Sequence, residues 1–131
     1  MKILEEFNEK ILSATRNDII DREIGILEGK VNGVINQRLN NLMSSFSNTQ
    51  KDSIKKIIID TVDATIHEFL YNLDENNKFK IVAYDEKNFI LNLSEQHEEN
   101  LVGSFLDSID NYGKYNSSYE IIMNNKPINK Q

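Results

Sequence analysis

Apolar residues recur along this chain at intervals of three and four for most of its length, and at intervals of two in one short stretch. Ile3, Leu4, Phe7, Ile11 and Leu12 keep helical spacing and predict an N-terminal amphipathic helix over residues 1–14. Arg16, Asn17 and Asp18 then form a polar break. Asn17 or Asp18 is expected to cap the next helix, whose start suits the acidic Asp18, Asp21 and Glu23. Ile20, Ile24, Leu27, Val31 and Val34 step by four and three, and Ile35, Leu39, Leu42 and Phe46 continue one position over. That drifting stripe predicts one long helix over residues 19–46. A third helix is expected over residues 50–74, capped by Asn48 or Thr49. Its wide apolar face holds Ile54, Ile57, Ile58, Val62, Ile66, Phe69, Leu70 and Leu73, and it ends in the turn Asp74-Glu75-Asn76-Asn77.

The period changes at residue 78. Phe79, Ile81 and Ala83 alternate with Lys80, Val82 and Tyr84, a polar turn spans residues 85–88, and an apolar run from Phe89 to Leu93 follows. This reads as a hairpin over residues 78–93 that leans on the helices, because an isolated hairpin is marginal in water. Ser94 opens a last helix over residues 95–112, with Leu101, Val102, Phe105, Leu106 and Ile109 facing inward and Tyr112-Gly113 at its end. Residues 119–123 read as a third short strand or as loose packing, and residues 124–131 as a frayed tail. The fold class is therefore α+β, mainly helical, with about four helices and a small antiparallel hairpin between the third and the last. At 131 residues the chain is about the length of a single domain.

Composition narrows the function. An apolar fraction of 39% with 27% charged residues fits a globular chain rather than a disordered one. The absence of cysteine removes disulfides, zinc–thiolate sites and cysteine nucleophiles. The net charge of −6 speaks against nucleic acid as a partner and favours a basic protein electrostatically. No stretch approaches the ~20 apolar residues of a membrane span. The first residues include Glu5, Glu6 and Glu9 without a continuous apolar run, so neither a signal peptide nor an anchor is expected there, and a cytoplasmic location is. Heavy use of Asn, Ile and Lys, with Pro127 the single proline, suggests an AT-rich bacterial genome.

Four features bear on chemistry. Gly25, Gly29 and Gly33 are spaced by four, which places them on one side of the expected long helix; close packing of another helix is one explanation and a break at Gly29 or Gly33 another. Asp60, Asp63, His67 and Asp74 share an arc of the third helix, expected to lie opposite the core. Asp63 and His67 are one turn apart, so the carboxylate can orient the imidazole as a general base, or the pair can be an ordinary solvated contact. Glu95, His97, Glu98 and Glu99 cluster near the start of the last helix, where acids complement the dipole. Tyr112, Tyr115 and Tyr119 suit either an interface or the rim of a core. No phosphate loop, dinucleotide fingerprint or nucleophile elbow is present. His67-Glu68 begins a zinc-protease motif, but Tyr71 stands where its second histidine belongs.

The stretch VDATIHEFLYNLDE over residues 62–75, followed by LVGSFL over residues 101–106, resembles small uncharacterised bacterial proteins of immunity or accessory type. That resemblance implies a binding role and carries no catalytic residue. The leading expectation is thus a non-enzymatic, cytoplasmic interaction module with no cofactor and no metal. It would neutralise a toxin by covering it with the acidic face of Asp60, Asp63 and Asp74. The runner-up is a small hydrolase or metal-dependent enzyme built on Asp63 and His67. The third reading is a homodimer joined through the glycine ladder or the tyrosine tail.

Overall fold

A computed structural model describes residues 2–84, 86 and 90–130. The fold is mainly helical with one small antiparallel sheet, and no described helix is long and apolar enough to cross a membrane. The chain divides into two compact units. One comprises the chain up to Thr15 together with Ala64–Gly113, and the other comprises Arg16–Asp63 together with the chain from Lys114 onward.

The N-terminal helical run has no break at Arg16-Asn17-Asp18, contrary to expectation. Helix α1 (Lys2–Phe7) passes through a wider π-helical turn (Asn8–Ser13) directly into α2 (Ala14–Leu27). Arg16 belongs to the stripe that Leu12 and Ile20 define at intervals of four, and it is buried in register with them.

In the first unit, Leu12, Leu70, Leu93, Leu101, Phe105 and Ile109 form the core, with Ile3, Phe7, Ile66 and Leu73 half-buried at its edge. Leu101, Phe105 and Ile109 recur at intervals of four on α5 (Asn100–Tyr112). On the same helix Gly103, Ser104 and Ser108 are buried, and α5 packs on the π-turn. Ser104 Oγ there donates to Asn8 Oδ1, so neither buried polar group is orphaned. Strands β1 (Val82–Tyr84) and β2 (Ile90–Asn92) pair Val82 with Asn92 and Tyr84 with Ile90. This register turns Ala83 and Leu91 partly inward and leaves Val82, Tyr84 and Ile90 exposed. Of the expected polar turn, Asp85, Lys87 and Asn88 lie outside the described residues, as does Phe89.

The last long helix starts later than predicted. Residues 93–96 form a 3-10 turn capped by Asn92, whose Oδ1 accepts from Ser94 N at 3.1 Å. Helix α5 then starts at Asn100, and no side chain caps it locally. Its cap comes from Asp74, at the end of α4 (Asn48–Glu75): the carboxylate accepts from Leu101 N and Val102 N, both at 3.1 Å. A negative charge at two free helix N–H groups is stabilising.

In the second unit the expected long helix over residues 19–46 is two helices, α2 and α3 (Val34–Met43). Gly29 is left-handed at φ 73°. Lys30 N donates to Gly25 O at 2.7 Å and Gly29 N to Ile26 O at 3.0 Å. This pair of bonds is the Schellman closure of a helix C-terminus, which calls for glycine at the left-handed position. Helix α4 begins with a reciprocal capping box at Ser47, not with a cap at Asn48 or Thr49. Gln50 N donates to Ser47 Oγ at 3.2 Å, and Ser47 N to Gln50 Oε1 at 2.8 Å.

Two further expectations fall at the C-terminal end. Residues 119–123 are not a strand. Helix α6 (Ser118–Ile122) forms instead, with Ser117 Oγ accepting from Glu120 N at 3.2 Å. Residues 124–130 are not frayed. Asn116 N donates to Ile128 O at 2.9 Å, Lys130 N to Lys114 O at 3.2 Å, and a bridge joins Tyr115 to Asn129.

Candidate functional site

The acidic face expected on the third helix is not assembled. The shared arc of Asp60, Asp63, His67 and Asp74 borders the buried stripe of α4 instead of opposing it, because Asp63 falls in phase with Ile59 and Leu70. Asp63 is buried and Asp60 exposed. Asp74 is spent on the α5 cap, while His67 is exposed.

Asp63 instead closes a buried ion pair with Arg16. Arg16 Nε donates to Asp63 Oδ1 at 2.5 Å and Nη2 to Oδ2 at 3.2 Å. The same guanidinium donates to Tyr115 O and to Asn116 O, each at 2.9 Å, while Asp63 Oδ2 also accepts from Ser118 N at 2.9 Å. Arg16 is wholly buried. The planar fork suits this two-point grip on a carboxylate and two carbonyls. The arrangement fixes the segment that leads into α6. Both Asp63 oxygens are thus engaged within the fold.

Next to this lock lies a cleft of about 340 Å3, lined by Glu28, Asp52, Lys55, Lys114 and Tyr115 among others. Tyr115 OH and Lys114 Nζ both donate to Asp21 Oδ1. Burial is the largest cause that pushes the Tyr115 hydroxyl well above its usual range, followed by its bond to Asp21 and the charges of Asp21 and Glu28, against a smaller opposing effect of Arg16. Burial acts to raise Asp21 as well, but the bonds from Tyr115 and Lys114 and the Lys114 charge outweigh it and hold the carboxyl below its ordinary value. Glu28 is lowered chiefly by its bond to Lys30, with Lys55 adding to it. Each charged group lining this cleft is thus already partnered, save that the Asp52–Lys55 pair is long at 4.0 Å.

The second histidine is also committed. His97 Nδ1 accepts from Glu99 N at 2.9 Å, which leaves the proton on Nε2, directed at Asp107 Oδ2 at 2.6 Å. The ring lies on Gly103, where an added Cβ would sit 2.7 Å from His97 Cε1. Glu95, Glu98 and Glu99 are exposed. No group of three His, Asp or Glu side chains able to hold a metal occurs among the described residues. The tyrosines separate: Tyr115 is buried, Tyr112 half-buried and Tyr119 exposed.

The glycine ladder does not support helix packing either. Gly29 and Gly33 lie outside the helices, with Gly33 at φ 115° and ψ 151° at the start of α3. Gly25 makes room for the returning chain, since a Cβ there would meet Val31 Cγ2 at 2.7 Å.

Helix α3, which follows this break, is the feature that sequence reasoning missed. It contains no buried residue. Asn36 and Asn40 are only partly exposed, and both hold the neighbouring backbone and helix. Asn40 Nδ2 donates to Ile26 O at 2.9 Å, Asn36 Nδ2 to Asn32 O at 2.9 Å, and Asn36 Oδ1 accepts from Arg22 at 3.3 Å. Val34, Ile35 and Leu42 are 68%, 70% and 73% exposed. Leu39 and Met43 share the half-buried side with Asn36 and Asn40, so the helix carries apolar side chains on both faces and leaves the outer ones to solvent. Arg38 lies between Val34 and Leu42 at intervals of four and is exposed. Past the helix end, Phe46 lines an apolar cleft of about 290 Å3 with Thr49, Gln50, Ser53 and Ile54. Ile57, one turn beyond Ser53, is 62% exposed.

Comparison with family models, with curated proteins and with solved structures returned no match for this chain.

Proposed function

We propose that this protein is a non-enzymatic interaction module that docks a partner protein through the outward face of α3. The observation that carries this reading is the apolar outer face of that helix. Val34, Ile35 and Leu42 stand in water, while Asn36, Leu39, Asn40 and Met43 are half-buried on its other side. Covering a Val, Leu or Ile side chain is worth roughly 1.5–3 kcal/mol, so a partner that covers all three gains substantially. Toxin neutralisation is the specific form we put forward, in keeping with the resemblance of residues 62–75 to immunity-type proteins. Its mechanism is occlusion, with the aliphatic face of α3 seated over the working surface of the partner. The face differs from the acidic one that sequence alone suggests, because Asp63 and Asp74 are engaged within the fold.

Site-specific photo-crosslinking in the native host tests the docking face. A photoreactive residue at Leu42 should yield a protein adduct that the same residue at the exposed Glu68 does not. Equal yields at both positions overturn the reading. For the toxin-specific form, expression of the neighbouring gene should arrest growth of a surrogate host. Co-expression of this protein should restore growth, and the Leu42→Asp variant should not. Absence of rescue by the unmodified chain refutes that form.

A further inference from the structure

We infer that the partner of α3 presents an acidic amphipathic helix; this rests on the docking reading above and adds the chemistry of what docks. The two units differ sharply in charge. The unit containing the chain up to Thr15 and Ala64–Gly113 has five lysines against thirteen acidic residues, a net −8. The unit that carries α3 has ten cationic against eight acidic residues, a net +2. Between Glu28 and Asp60 five cationic residues stand against Glu28, Asp52 and Asp60.

Three of those five cations have no ion-pair partner among the described residues. Lys30 and Lys55 are tied to Glu28. Arg38, Lys51 and Lys56 are not so tied, and Arg38 stands within the aliphatic stripe itself. The nearest countercharges along the helix are Asp52 and Asp60, both exposed on α4. A ligand that places apolar side chains on Val34, Ile35 and Leu42 therefore meets a guanidinium at the centre of the patch. On α4, Lys51 and Lys56 flank the Ser53–Ile54–Ile57 side by helical spacing. Carboxylates flanking an apolar stripe answer both demands.

The cleft at Phe46 and Ile54 sharpens the identification. A shallow apolar recess of about 290 Å3 there offers a partner helix a further apolar contact. A fluid lipid surface has no need of one, and α3 carries one cation where a membrane-surface helix is usually lysine-rich. A second copy fits less well. Arg38 occupies the middle of the stripe, so a two-fold pairing of α3 with itself sets guanidinium against guanidinium. Head-to-tail pairing of the positive unit with the negative unit of another copy would be heterologous and build a ring or an open filament.

The test uses the full chain and two designed peptides with leucine at i, i+3, i+4 and i+7. One carries glutamate at the remaining positions and the other lysine. Fluorescence anisotropy at low salt should show saturable binding of the glutamate peptide only, weakening as salt is added. Leu42→Asp and Arg38→Glu should each weaken it about tenfold, with circular dichroism unchanged because both side chains are exposed. If Leu42→Asp abolishes binding while Arg38→Glu leaves it intact, or if both peptides bind alike, the acidic chemistry falls and the α3 docking face stands. If the glutamate peptide does not bind, the inference falls; if the Leu42 crosslink also fails, the docking reading falls with it. Leu42-dependent co-sedimentation with anionic vesicles, or a Leu42-dependent dimer in light scattering, would reassign the face and overturn the inference.

Discussion

A regular spacing of identical residues need not reflect one cause. Gly25, Gly29 and Gly33 look like a packing seam, yet each answers a different local demand. Gly25 clears space for Val31, Gly29 takes the left-handed position of a helix stop, and Gly33 adopts an extended geometry with positive φ that side chains resist. Gly29→Ala should cost about 1 kcal/mol and Gly33→Ala about 1–3 kcal/mol in urea unfolding, with helix content retained. Equal stability of the variants and the parent would contradict this account. Arg16 and Asp63 make a similar point. Each looks like a surface charge until the fold shows which stripe of its helix is buried. Removing one partner strands a buried charge, so Asp63→Ala should lose about 3–5 kcal/mol, a large share of the roughly 5–15 kcal/mol that holds an ordinary domain folded. Replacing both by hydrophobic residues should not restore full stability, because Tyr115 O, Asn116 O and Ser118 N then lose their partners.

At the scale of the element, α3 is apolar on both faces, half-buried at Leu39 and Met43 and exposed at Val34, Ile35 and Leu42. The sequence pattern Ile35, Leu39, Leu42, Phe46 is amphipathic, but it does not say which side faces the fold. Asn40 settles that by donating to the last carbonyls of α2, Ile26 O and Leu27 O, which a helix end leaves open. Leu42→Asp should therefore change unfolding free energy by no more than about 0.5 kcal/mol, the range of an exposed site. A loss of several kcal/mol would show that Leu42 packs within the fold. The helix boundaries had readable signals that a period search alone passes over. Ser47 with Gln50 and Ser117 with Glu120 both carry the spacing of a capping box. The Asp74 cap on α5 had none, since its donors lie 27 and 28 residues away.

For the molecule as a whole, the mean charge misleads. The −6 total combines a strongly acidic unit and a mildly basic one, so the partner expected from net charge differs from the one favoured at α3. The same second unit sets the response to pH. Asp21 is lowered on folding, so its contribution is complete above the ordinary value of 3.8 and is lost as pH falls through the folded value. Tyr115 is raised on folding, so its contribution is complete below 10.0 and is lost as pH climbs toward the folded value. Ultraviolet titration should find a tyrosine fraction that stays un-ionised until alkaline unfolding. Tyr115→Phe should abolish that delayed fraction, and persistence of the fraction in the variant would assign it elsewhere.

The sequence alone determined the mainly helical α+β class and the single hairpin, because periods of 3.6 and 2 are local properties of a chain. It also held the helix stop at Gly29 and the serine caps, since these involve neighbours a few residues apart. Tertiary structure decided which charges are buried, where Asp74 acts and which way α3 faces. Those outcomes depend on the phase of one helix against another, and on hydrogen-bond partners as far apart as Arg16 and Asn116. No spacing within a single segment encodes them.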